Sequence, residues 1–495
     1  MYLQLAKKNE KALEEDELRY SVRALILVLM LVLTSSAWAQ WSSDPTQNLV
    51  LSNFPNADQV QPKAIALPDN SWYVSWFNNT PNTVNSGYNV YYQLLGPNGV
   101  AQFPQNGVQV AREQGLSSTQ DYGFAIDNDG NAILAFQDLR RSPNNPQITV
   151  AKMSPTGQPL WGPLGIALTF GQNSYNVPKV TVTTDGYIVV GWVSNNQTVL
   201  QKLTPSGVPV WVGPNGNGLG VVLQQTGYNY TLADLHAADN GSVIVSFVAS
   251  QGFGSPSYLY ANKISPTGQL LWGTNNVHVY DGGSLQFGEF PYFLSDGSGG
   301  AIFSWYTNSP TLQVYAQHIL ADGTEAFGHN GSQGAIGGSD VRVDPTVSYN
   351  PATQETFMFW TEEDSLQSVQ GIYAQKFNPT GGLEWGNSGL TIVPLGEDAQ
   401  INPKSVQIGN GALGFWIDEQ VTGNGTIEAV KLDTNGNFIC PEFAVSSAMS
   451  MKAKLWAAIA PSGLSTASWQ DYRTGNADIY IQNVNADCTL GIENR

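Results

Sequence analysis

The sequence predicts an all-β protein that folds as a single β-propeller of eight four-stranded blades, with seven blades as the alternative count. A glycine turn followed by an aromatic residue recurs along the chain, and an apolar strand that ends in an aromatic residue recurs eight times. The 495 residues would otherwise suggest about three domains. A repeat of roughly 56 residues overrides that expectation, because it lies within the range of propeller blades.

The first repeated feature is a hairpin turn, as in MSPTGQPLW (153–161) and LTPSGVPVW (203–211). Proline presets one φ angle, and glycine supplies the positive φ that other residues resist. The turn glycines are Gly99, Gly157, Gly207, Gly268, Gly323, Gly381 and Gly436, and the residues four positions later are Phe103, Trp161, Trp211, Trp272, Phe327, Trp385 and Cys440. A degenerate eighth copy, VNADCTLGI (484–492), carries Cys488 in the glycine place.

The second repeated feature is an apolar strand upstream of each turn. Each of its eight copies ends in an aromatic residue, and these are Trp76, Phe136, Trp192, Phe247, Trp305, Trp360, Trp416 and Trp469. We expect these aromatics to fill the gaps between packed sheets rather than to form a stacking platform for a ligand. A turn and a further apolar run, such as PKAIAL (62–67) or PKVTVT (178–183), precede this strand. Each unit therefore has four strands.

The two ends of the repeat array predict how the ring closes. Seven units end in a short polar loop and an apolar strand, whereas the eighth has almost no chain after Cys488. The segment WSSDPTQNLVLS (41–52) also consists of an aromatic residue, a short polar loop and an apolar strand, but no repeat unit precedes it. We expect this N-terminal strand to complete the last blade, which removes the exposed edges of an open array.

Residues 1–39 have the features of a signal peptide, with the apolar run ALILVLMLVL (24–33) and the small-x-small pattern Ala37-Trp38-Ala39. A translation start near Tyr20 and an uncleaved anchor are the alternatives. Cleavage would leave residues 40–495 as the propeller in a secreted or extracytoplasmic place, the periplasm or the cell surface, without membrane insertion. The net charge of −18 argues against nucleic acid and anionic membranes as partners.

The segment AKMSPTGQPLW (151–161) resembles the tryptophan-docking repeat of quinoprotein-like propellers. Ala151, Thr156, Gly157 and Trp161 stand at the positions of that family's pattern, and the resemblance covers the whole mature chain. It implies that tryptophan and glycine lock neighbouring blades. The family includes quinone-dependent dehydrogenases and outer-membrane assembly lipoproteins. Vicinal cysteines, which many of the dehydrogenases use, are absent here, so the resemblance carries over no cofactor and no lipid anchor.

Two shorter segments resemble other secreted propellers. WQDYRTGNADIYIQ (469–482) is similar to a repeat unit of uncharacterised secreted bacterial proteins. SDGSGGAIFSW (295–305) resembles the Asp-box of sialidase propellers, which is a structural turn and implies no sialidase activity.

The candidate site lies in the loops that follow the second strand of each unit, because these are the longest and are rich in Asn, Asp and Ser. They predict an acidic rim for a cation or for glycan hydroxyls, with arginines as donors. The candidate ligand-binding residues are Asp138, Arg140, Glu362, Glu363, Asp418, Asp471 and Arg473. The alternative, which the repetition of Asp138–Arg140 and Asp471–Arg473 favours, is a set of local turn and salt-bridge pairs.

No catalytic motif stands out, and the histidines show no triad or metal-ligand spacing. The sequence favours a non-catalytic binding propeller, secreted or in the cell envelope, that recognises a glycan or an extracellular protein through its loop face. A carbohydrate-active enzyme, a glycosidase or lyase with carboxylates near the central channel, is the first alternative, and an envelope assembly scaffold is the second. A monomer without a cofactor is expected, with calcium kept open.

Cys440 and Cys488 are the two cysteines of the chain. They could form one disulfide after export. Two unlinked thiols are an equal alternative, because the two residues stand at different positions of the repeat.

Overall fold

The computed structural model describes residues 40–79, 87–111, 121–140, 144–171, 173, 175–213, 220–309 and 311–492. Within these ranges the chain forms eight antiparallel sheets arranged as a β-propeller, as predicted, and its helical structure is one 3₁₀ turn at Asp239–Gly241. The predicted leader, residues 1–39, lies outside the described residues. The propeller belongs to the compact unit Trp41–Arg495.

The chain enters the propeller through β1 (Leu49–Ser52) and then forms blades 1 to 4 in sequence, each a meander that starts at the central channel. Blade 1 contains β2 (Gln59–Ala66), β3 (Trp72–Asn78), β4 (Asn89–Leu95) and β5 (Val108–Gln109); blade 2 contains β6 (Gly123–Ile126), β7 (Ala132–Asp138), β8 (Gln147–Met153) and β9 (Ile166–Ala167); blade 3 contains β10 (Tyr175–Val182), β11 (Ile188–Ser194), β12 (Gln197–Leu203) and β13 (Val221–Leu223); blade 4 contains β14 (Asn229–Ala237), β15 (Val243–Ser250), β16 (Ser257–Ile264) and β17 (Val277–Tyr280).

Blades 5 to 8 repeat this plan, with an interrupted first strand in blade 5 and a borrowed last strand in blade 8. Blade 5 contains β18 (Ser284–Leu285), β19 (Phe293–Ser295), β20 (Ala301–Ser309), β21 (Val314–Ile319) and β22 (Ser332–Gln333); blade 6 contains β23 (Val341–Asn350), β24 (Glu355–Glu363), β25 (Gln370–Phe377) and β26 (Leu390–Gly396); blade 7 contains β27 (Ala399–Ile408), β28 (Gly411–Glu419), β29 (Gly425–Leu432) and β30 (Phe438–Ser450); blade 8 contains β31 (Lys452–Ile459), β32 (Ser465–Asp471), β33 (Asp478–Val484) and β1.

The meander gives the propeller two distinct faces. The turns that join the first strand of each blade to the second lie on one face, which we name the turn face. The loops that follow the second strand lie on the opposite face, the loop face, because successive strands are antiparallel. The predicted site belongs to the loop face.

The second strand of each blade carries the core. β3, β7 and β32 are buried at every residue, because neighbouring blades cover both faces of these strands. All eight strand-ending aromatics are buried as well: Trp76, Phe136, Trp192, Phe247, Trp305, Trp360, Trp416 and Trp469. This confirms that they fill the space between sheets.

Neighbouring blades are joined by an aromatic ring that docks on the turn glycine of the next blade. The indole of Trp211 donates from Nε1 to the carbonyl oxygen of Pro266 at 2.9 Å, and Trp272 makes the same bond to Ala321 at 3.1 Å. A Cβ built on Gly323 would lie only 2.8 Å from the Trp272 ring. Glycine is therefore required twice at this place, for its φ of +89° and for the close approach of the ring.

A side-chain amide fixes most of the docked aromatics from within their own blades. In blade 3, Gln201 accepts a hydrogen bond from the backbone N–H of Trp211 at 3.0 Å and donates to the carbonyl of Trp211 at 3.1 Å. This amide clamp stands six residues before the turn glycine. Its members in other blades are Gln93, Asn262, Gln317 and Gln375.

The N-terminal segment closes the ring in two ways, of which the completion of blade 8 by a strand was predicted. β1 pairs with β33, with Leu49 opposite Ile481 and Val50 opposite Tyr480, and so completes blade 8. Trp41 supplies the docking ring for blade 1, where its Nε1 donates to the carbonyl of Pro97 at 2.8 Å. Blades 8 and 1 are thus joined by chain from the two ends of the repeat array.

Cys440 and Cys488 form a disulfide between blades 7 and 8. Cys440 occupies the place of the docking aromatic, and Cys488 occupies the place of the turn glycine, with a φ of +69°. Since the aromatic of one blade always meets the glycine of the next, these two places face each other. The different repeat positions, which had left free thiols as an alternative, are the reason that the two cysteines meet.

Candidate ligand-binding cavity in the central channel

One position on each first strand forms a ring around the channel. In blade 1 this position is Lys63, which pairs with Ser75, the residue directly before the strand-ending aromatic Trp76. The same rule defines the position in the other blades. The paired residues of the ring are Lys63, Gly123, Lys179, Asp234, Thr346, Lys404 and Trp456. In blade 5 the equivalent place falls on Tyr292, which directly precedes the first paired residue of β19, Phe293. Charged and aromatic side chains therefore dominate a level of the channel that is set by strand register.

A β-bulge just before the ring position tilts most of these strands. Five ring residues follow, by two positions, a non-glycine residue with positive φ: Gln61, Val177, Asp344, Asn402 and Lys454. Val177, a β-branched residue, has a φ of +52°, which is sterically unfavourable. A bulge bends the strand and redirects the side chains that follow it. The strained residue two positions earlier therefore helps to direct the ring side chains into the channel.

Asp121 of blade 2 is the centre of a charged layer that joins its own blade to three others. Lys63 of blade 1 lies 2.6 Å from its carboxylate, Lys179 of blade 3 contacts it directly, and the hydroxyl of Tyr292 of blade 5 donates to it at 3.1 Å. Burial raises the pKa of Asp121, but the ion pairs with Lys179 and Lys63 outweigh burial and hold the pKa well below its ordinary value. Asp121 is therefore a permanent anion.

Asp234 forms a second fixed anion in the same half of the channel. Its carboxylate is hydrogen-bonded to Nε2 of His236 at 2.9 Å and accepts from the backbone N–H of Phe293 at 3.2 Å. Burial opposes its ionisation, yet His236 and Lys179 bring the pKa of Asp234 below its ordinary value. The His236 ring packs edge-on against Phe293, with centroids 4.8 Å apart, and remains partly exposed.

Two aromatic rings complete the wall. Tyr292 and Trp456 meet edge to face with centroids 6.2 Å apart, and the ammonium group of Lys179 lies 4.6 Å from the Tyr292 ring centre. Trp456 is held in place by a hydrogen bond from Nε1 to the carbonyl of Ala64 at 3.0 Å. The negative charge of Asp121 raises the pKa of Tyr292, so its hydroxyl stays protonated and acts as a donor.

These residues line a cavity of about 690 Å³ at the turn face. Its walls come from the first strands of blades 1 to 4 and from the turns after the first strands of blades 1 and 2, and Tyr292 and Trp456 complete them. A volume of this order is typical of small-molecule sites, in which a few placed polar groups meet apolar and aromatic walls. The cavity offers the ammonium groups of Lys63 and Lys179 as donors and the carboxylate of Asp234 as an acceptor, while the Tyr292 hydroxyl is already donated to Asp121.

Four of the predicted site residues form two local pairs at the loop face. Asp138 is buried and accepts hydrogen bonds from Nε of Arg140 at 2.8 Å and from Thr149 at 2.8 Å. Asp471 is buried and contacts Arg473 at 2.6 Å and Lys452 at 3.1 Å. In both pairs the arginine follows the aspartate by two residues within one turn.

The other three predicted residues each have a partner in their own blade. Glu362 binds Arg342 at 3.0 Å and accepts from Nε1 of Trp360 at 2.6 Å. Glu363 accepts from Gln370 at 2.8 Å, and Asp418 accepts from Gln400 at 2.8 Å. The structure thus places each arginine on its own aspartate, Arg140 on Asp138 and Arg473 on Asp471, and gives the other three acids separate partners. This arrangement agrees with the alternative of local turn and salt-bridge pairs. A binding role for the seven residues stays a prediction.

Sequence reasoning missed Lys63, Lys179, Asp234, Tyr292 and Trp456. A signal was present in the repeated Pro-Lys pair that opens PKAIAL (62–67) and PKVTVT (178–183), in which a charged residue recurs at the start of a strand expected to be apolar. A lysine at a repeated inner-strand position indicates a polar channel. Tyr292 and Trp456 carry no such signal, because their units match the others poorly at this place.

The fold defines the class of this protein, a closed eight-bladed β-propeller, and its channel contains a cavity with polar and aromatic walls. No protein-family model matches the chain, and no curated protein matches it. Solved structures similar to it include the polysaccharide lyase Uly1, at 11% identity and a TM-score of 0.44, covering 86% of this chain and 89% of that one. An α-L-arabinanase of Penicillium chrysogenum reaches 10% identity and a TM-score of 0.39, covering 90% and 99%.

Prolyl oligopeptidase B of Galerina marginata has 11% identity and a TM-score of 0.43, and the match covers 84% of this chain and 55% of that one. At these scores the likenesses carry no functional argument. In the part of the chain that the structure describes, no helix has the length and apolar character needed to cross a membrane. The same residues contain no group of three or more His, Cys, Asp or Glu placed to hold a metal ion.

Proposed function

We propose that this protein is a binding propeller of the cell exterior or envelope, and that its channel cavity holds a glycan without converting it chemically. The observation that supports this most is the pairing of aromatic walls, Tyr292 and Trp456, with fixed donors and acceptors in one cavity of about 690 Å³. A sugar ring has hydroxyl groups at its rim and C–H groups on its faces, so it suits such a cavity.

The polar groups of the cavity suit hydroxyl ligands. A hydroxyl group both donates and accepts, so it can bridge an acceptor such as Asp234 and a donor such as Lys179. Both side chains are buried in ion pairs and hold their positions before a ligand arrives. Such fixed positions reduce the entropy lost on binding.

The protonation states of the cavity favour binding over glycoside hydrolysis. Hydrolysis requires one carboxyl group that is protonated near neutral pH and a second one that is ionised. Asp121 and Asp234 both have lowered pKa values and are ionised together. This part of the channel therefore provides acceptors and no carboxylic acid.

An enzyme remains the second candidate because of one observation in the other half of the channel. Burial raises the pKa of Asp344, and burial together with the nearby charge of Asp344 raises that of Glu289 well above its ordinary value. Interacting carboxyls with raised pKa values are typical of general acids. A carbohydrate-active enzyme would use these two residues.

The disulfide supports an oxidising location, because disulfides persist outside the cytosol. It agrees with export by a leader at residues 1–39. The resemblance to tryptophan-docking propellers contributes an architecture to this proposal, and it contributes no cofactor. If no glycan binds, the remaining alternatives are a protein ligand at the loop face and a role as an envelope assembly scaffold.

The test is incubation of residues 40–495 with a panel of neutral and acidic polysaccharides, with and without calcium, measuring both retained polymer and released sugar. We expect retention without release. His236→Ala and Trp456→Ala should each weaken retention at least about tenfold, since each removes a contact worth about 1.4 kcal/mol or more. Phe253→Ala is the matched control, because this exposed aromatic lies on the loop face.

Release of soluble sugar would overturn the binding proposal in favour of the enzyme. Loss of that release in Glu289→Gln and Asp344→Asn would then locate the chemistry. If the panel shows no retention and no release, this result would contradict a glycan ligand and would favour a protein partner. Equal weakening by Phe253→Ala would move the site to the loop face.

A further inference from the structure

Blade 5 departs from the other blades at the channel. The first strand of each of the other blades is continuous, whereas in blade 5 the residues between β18 and β19, 286–292, leave the sheet. We name this segment the strap. Its body is fastened to the second strand of its own blade, because Glu289 accepts from the backbone N–H of Tyr306 at 3.0 Å and Gln286 donates to the Tyr306 carbonyl at 3.2 Å.

The strap ends in Tyr292, whose side chain crosses the channel. In a ring of eight, blade 5 stands opposite blade 1, and blades 2 and 8 flank blade 1. Tyr292 reaches Asp121 of blade 2 through its hydroxyl and Trp456 of blade 8 through its ring. One residue of blade 5 therefore touches the far wall on both sides of blade 1.

The charged layer lies behind the cavity on the way to the loop face. Asp121 precedes the ring position of its blade by two residues and so stands nearer the loop face, while Lys63 and Lys179 extend to it from the ring. Tyr292 donates to the same carboxylate. A ligand that enters from the turn face meets this layer and the Tyr292 ring at the inner end of the cavity.

We infer that Tyr292 and the Lys63–Asp121–Lys179 layer close the inner end of the cavity, so that it takes the terminal sugars of a glycan chain and not an internal stretch. This inference rests on the proposed glycan-binding function and specifies the part of the glycan that is bound. A chain segment in the middle of a polymer would have to leave the cavity at both ends. Tyr292 is thus a specificity-determining residue.

The experiment compares each polysaccharide of the panel intact and after partial hydrolysis to short chains, at equal sugar mass. Binding to chain ends is proportional to the number of ends by mass action, so a tenfold reduction in chain length should raise the apparent affinity per gram about tenfold. Tyr292→Ala should weaken this preference at least severalfold, because it removes the part of the closure that the Tyr292 ring provides. Tyr292→Phe keeps the ring and should retain the preference.

Equal affinity per gram for intact and hydrolysed forms would overturn end recognition, while retention itself would leave glycan binding supported. Failure of the wild-type protein to retain any form would contradict the proposed function instead. An unchanged end preference in Tyr292→Ala would show that Tyr292 is not the closing residue. Tyr292→Leu, which keeps apolar volume beside Trp456, replaces Tyr292→Ala if that variant does not fold.

Discussion

The eight junctions between blades are built in two ways, and the difference is concentrated in blade 7. Seven junctions use an aromatic ring on a turn glycine, and the junction between blades 7 and 8 uses the Cys440–Cys488 disulfide. Blade 7 also lacks the amide clamp, since the residue six positions before Gly436 is Val430. Blade 7 thus lacks both the ring and the clamp, whereas blade 2 keeps the Trp161 ring and has Ala151 at the clamp position.

Blade 8 retains the clamp even though its docking ring comes from the other end of the chain. Gln482 stands six residues before Cys488 and donates to the carbonyl of Ser42, the residue after Trp41, at 2.8 Å. The covalent and the non-covalent closure therefore flank the same blade. Breaking each junction separately measures how much each contributes to the stability of the ring.

The largest effect is expected from deletion of residues 41–52. The deletion removes β1, the Trp41 ring and the buried side chains of Leu49 and Leu51, and it exposes the edge of β33. Burial of three such side chains contributes at least about 5 kcal/mol, and an open edge promotes association. Urea unfolding and size-exclusion chromatography should show a lower midpoint and aggregates. Thr46→Ala is the control, and an unchanged midpoint in the deletion variant would contradict ring closure by this segment.

The next effect is expected at an internal junction, where Trp211→Ala should lower the free energy of unfolding by about 3–5 kcal/mol. Trp211 is buried, clamped by Gln201 and bonded to Pro266. Trp161 is less buried, and its blade has Ala151 at the clamp position. Trp161→Ala should therefore cost clearly less, and equal losses in chemical denaturation would show that the clamp contributes nothing.

Removal of the disulfide in Cys440→Ala with Cys488→Ala should lower the free energy of unfolding by about 2–4 kcal/mol. Both cysteines are partly exposed, so a reductant should produce a similar loss in the wild-type protein. The double variant should not respond to the reductant. A melting temperature of the wild type that does not change on reduction would indicate that packing alone holds this junction.

The repeat pattern predicted the strands, the blade count and the closure by β1, because all three follow from positions that recur. It also held the information for the disulfide, because Cys440 stands at the docking-aromatic position and Cys488 at the turn-glycine position, and these two positions meet between neighbouring blades. The pairing was left open against two free thiols because the turn and the aromatic were treated as features of one unit. Which blade a residue contacts is a property of the junction between units, which a unit considered alone does not show.

The channel site could be predicted only in part. Lys63 and Lys179 follow a repeated proline, but the partner that fixes them, Asp121, precedes a strand in another unit. Tyr292 comes from a segment that departs from the repeat. Contacts across the channel join residues of distant units, and repeat spacing carries no information on them.

A conversion of one junction into the other type tests whether they are equivalent. Cys440→Trp with Cys488→Gly places a ring and a glycine between blades 7 and 8, and Val430→Gln adds the clamp. We expect the triple variant to recover about 1–2 kcal/mol of the loss seen without the disulfide, because a buried ring and its hydrogen bonds are restored. Its melting temperature should not respond to a reductant. Recovery by Val430→Gln alone would show that the ring is dispensable.

An effect of similar size, confined to high pH, is expected at Glu428 beside the altered junction in blade 7. Here β30 continues from the turn without a docking ring, and Glu442, two residues after Cys440, lies near Glu428 on β29. Burial, together with the charges of Glu442 and Asp418, raises the pKa of Glu428 to about 7.

The folded state therefore binds a proton at Glu428 more tightly than the unfolded state, and this contribution to stability is lost as the pH rises from about 4.5 through about 7. Glu428→Gln should raise the free energy of unfolding, relative to the wild type, by about 1–2 kcal/mol at pH 8, and the gain should be smaller at pH 5. Urea unfolding at the two pH values measures this difference, with Glu397→Gln, at an exposed glutamate, as the control. A gain of equal size at both pH values would show that the substitution acts through packing, and the close approach of β30 to β29 would then have no electrostatic penalty.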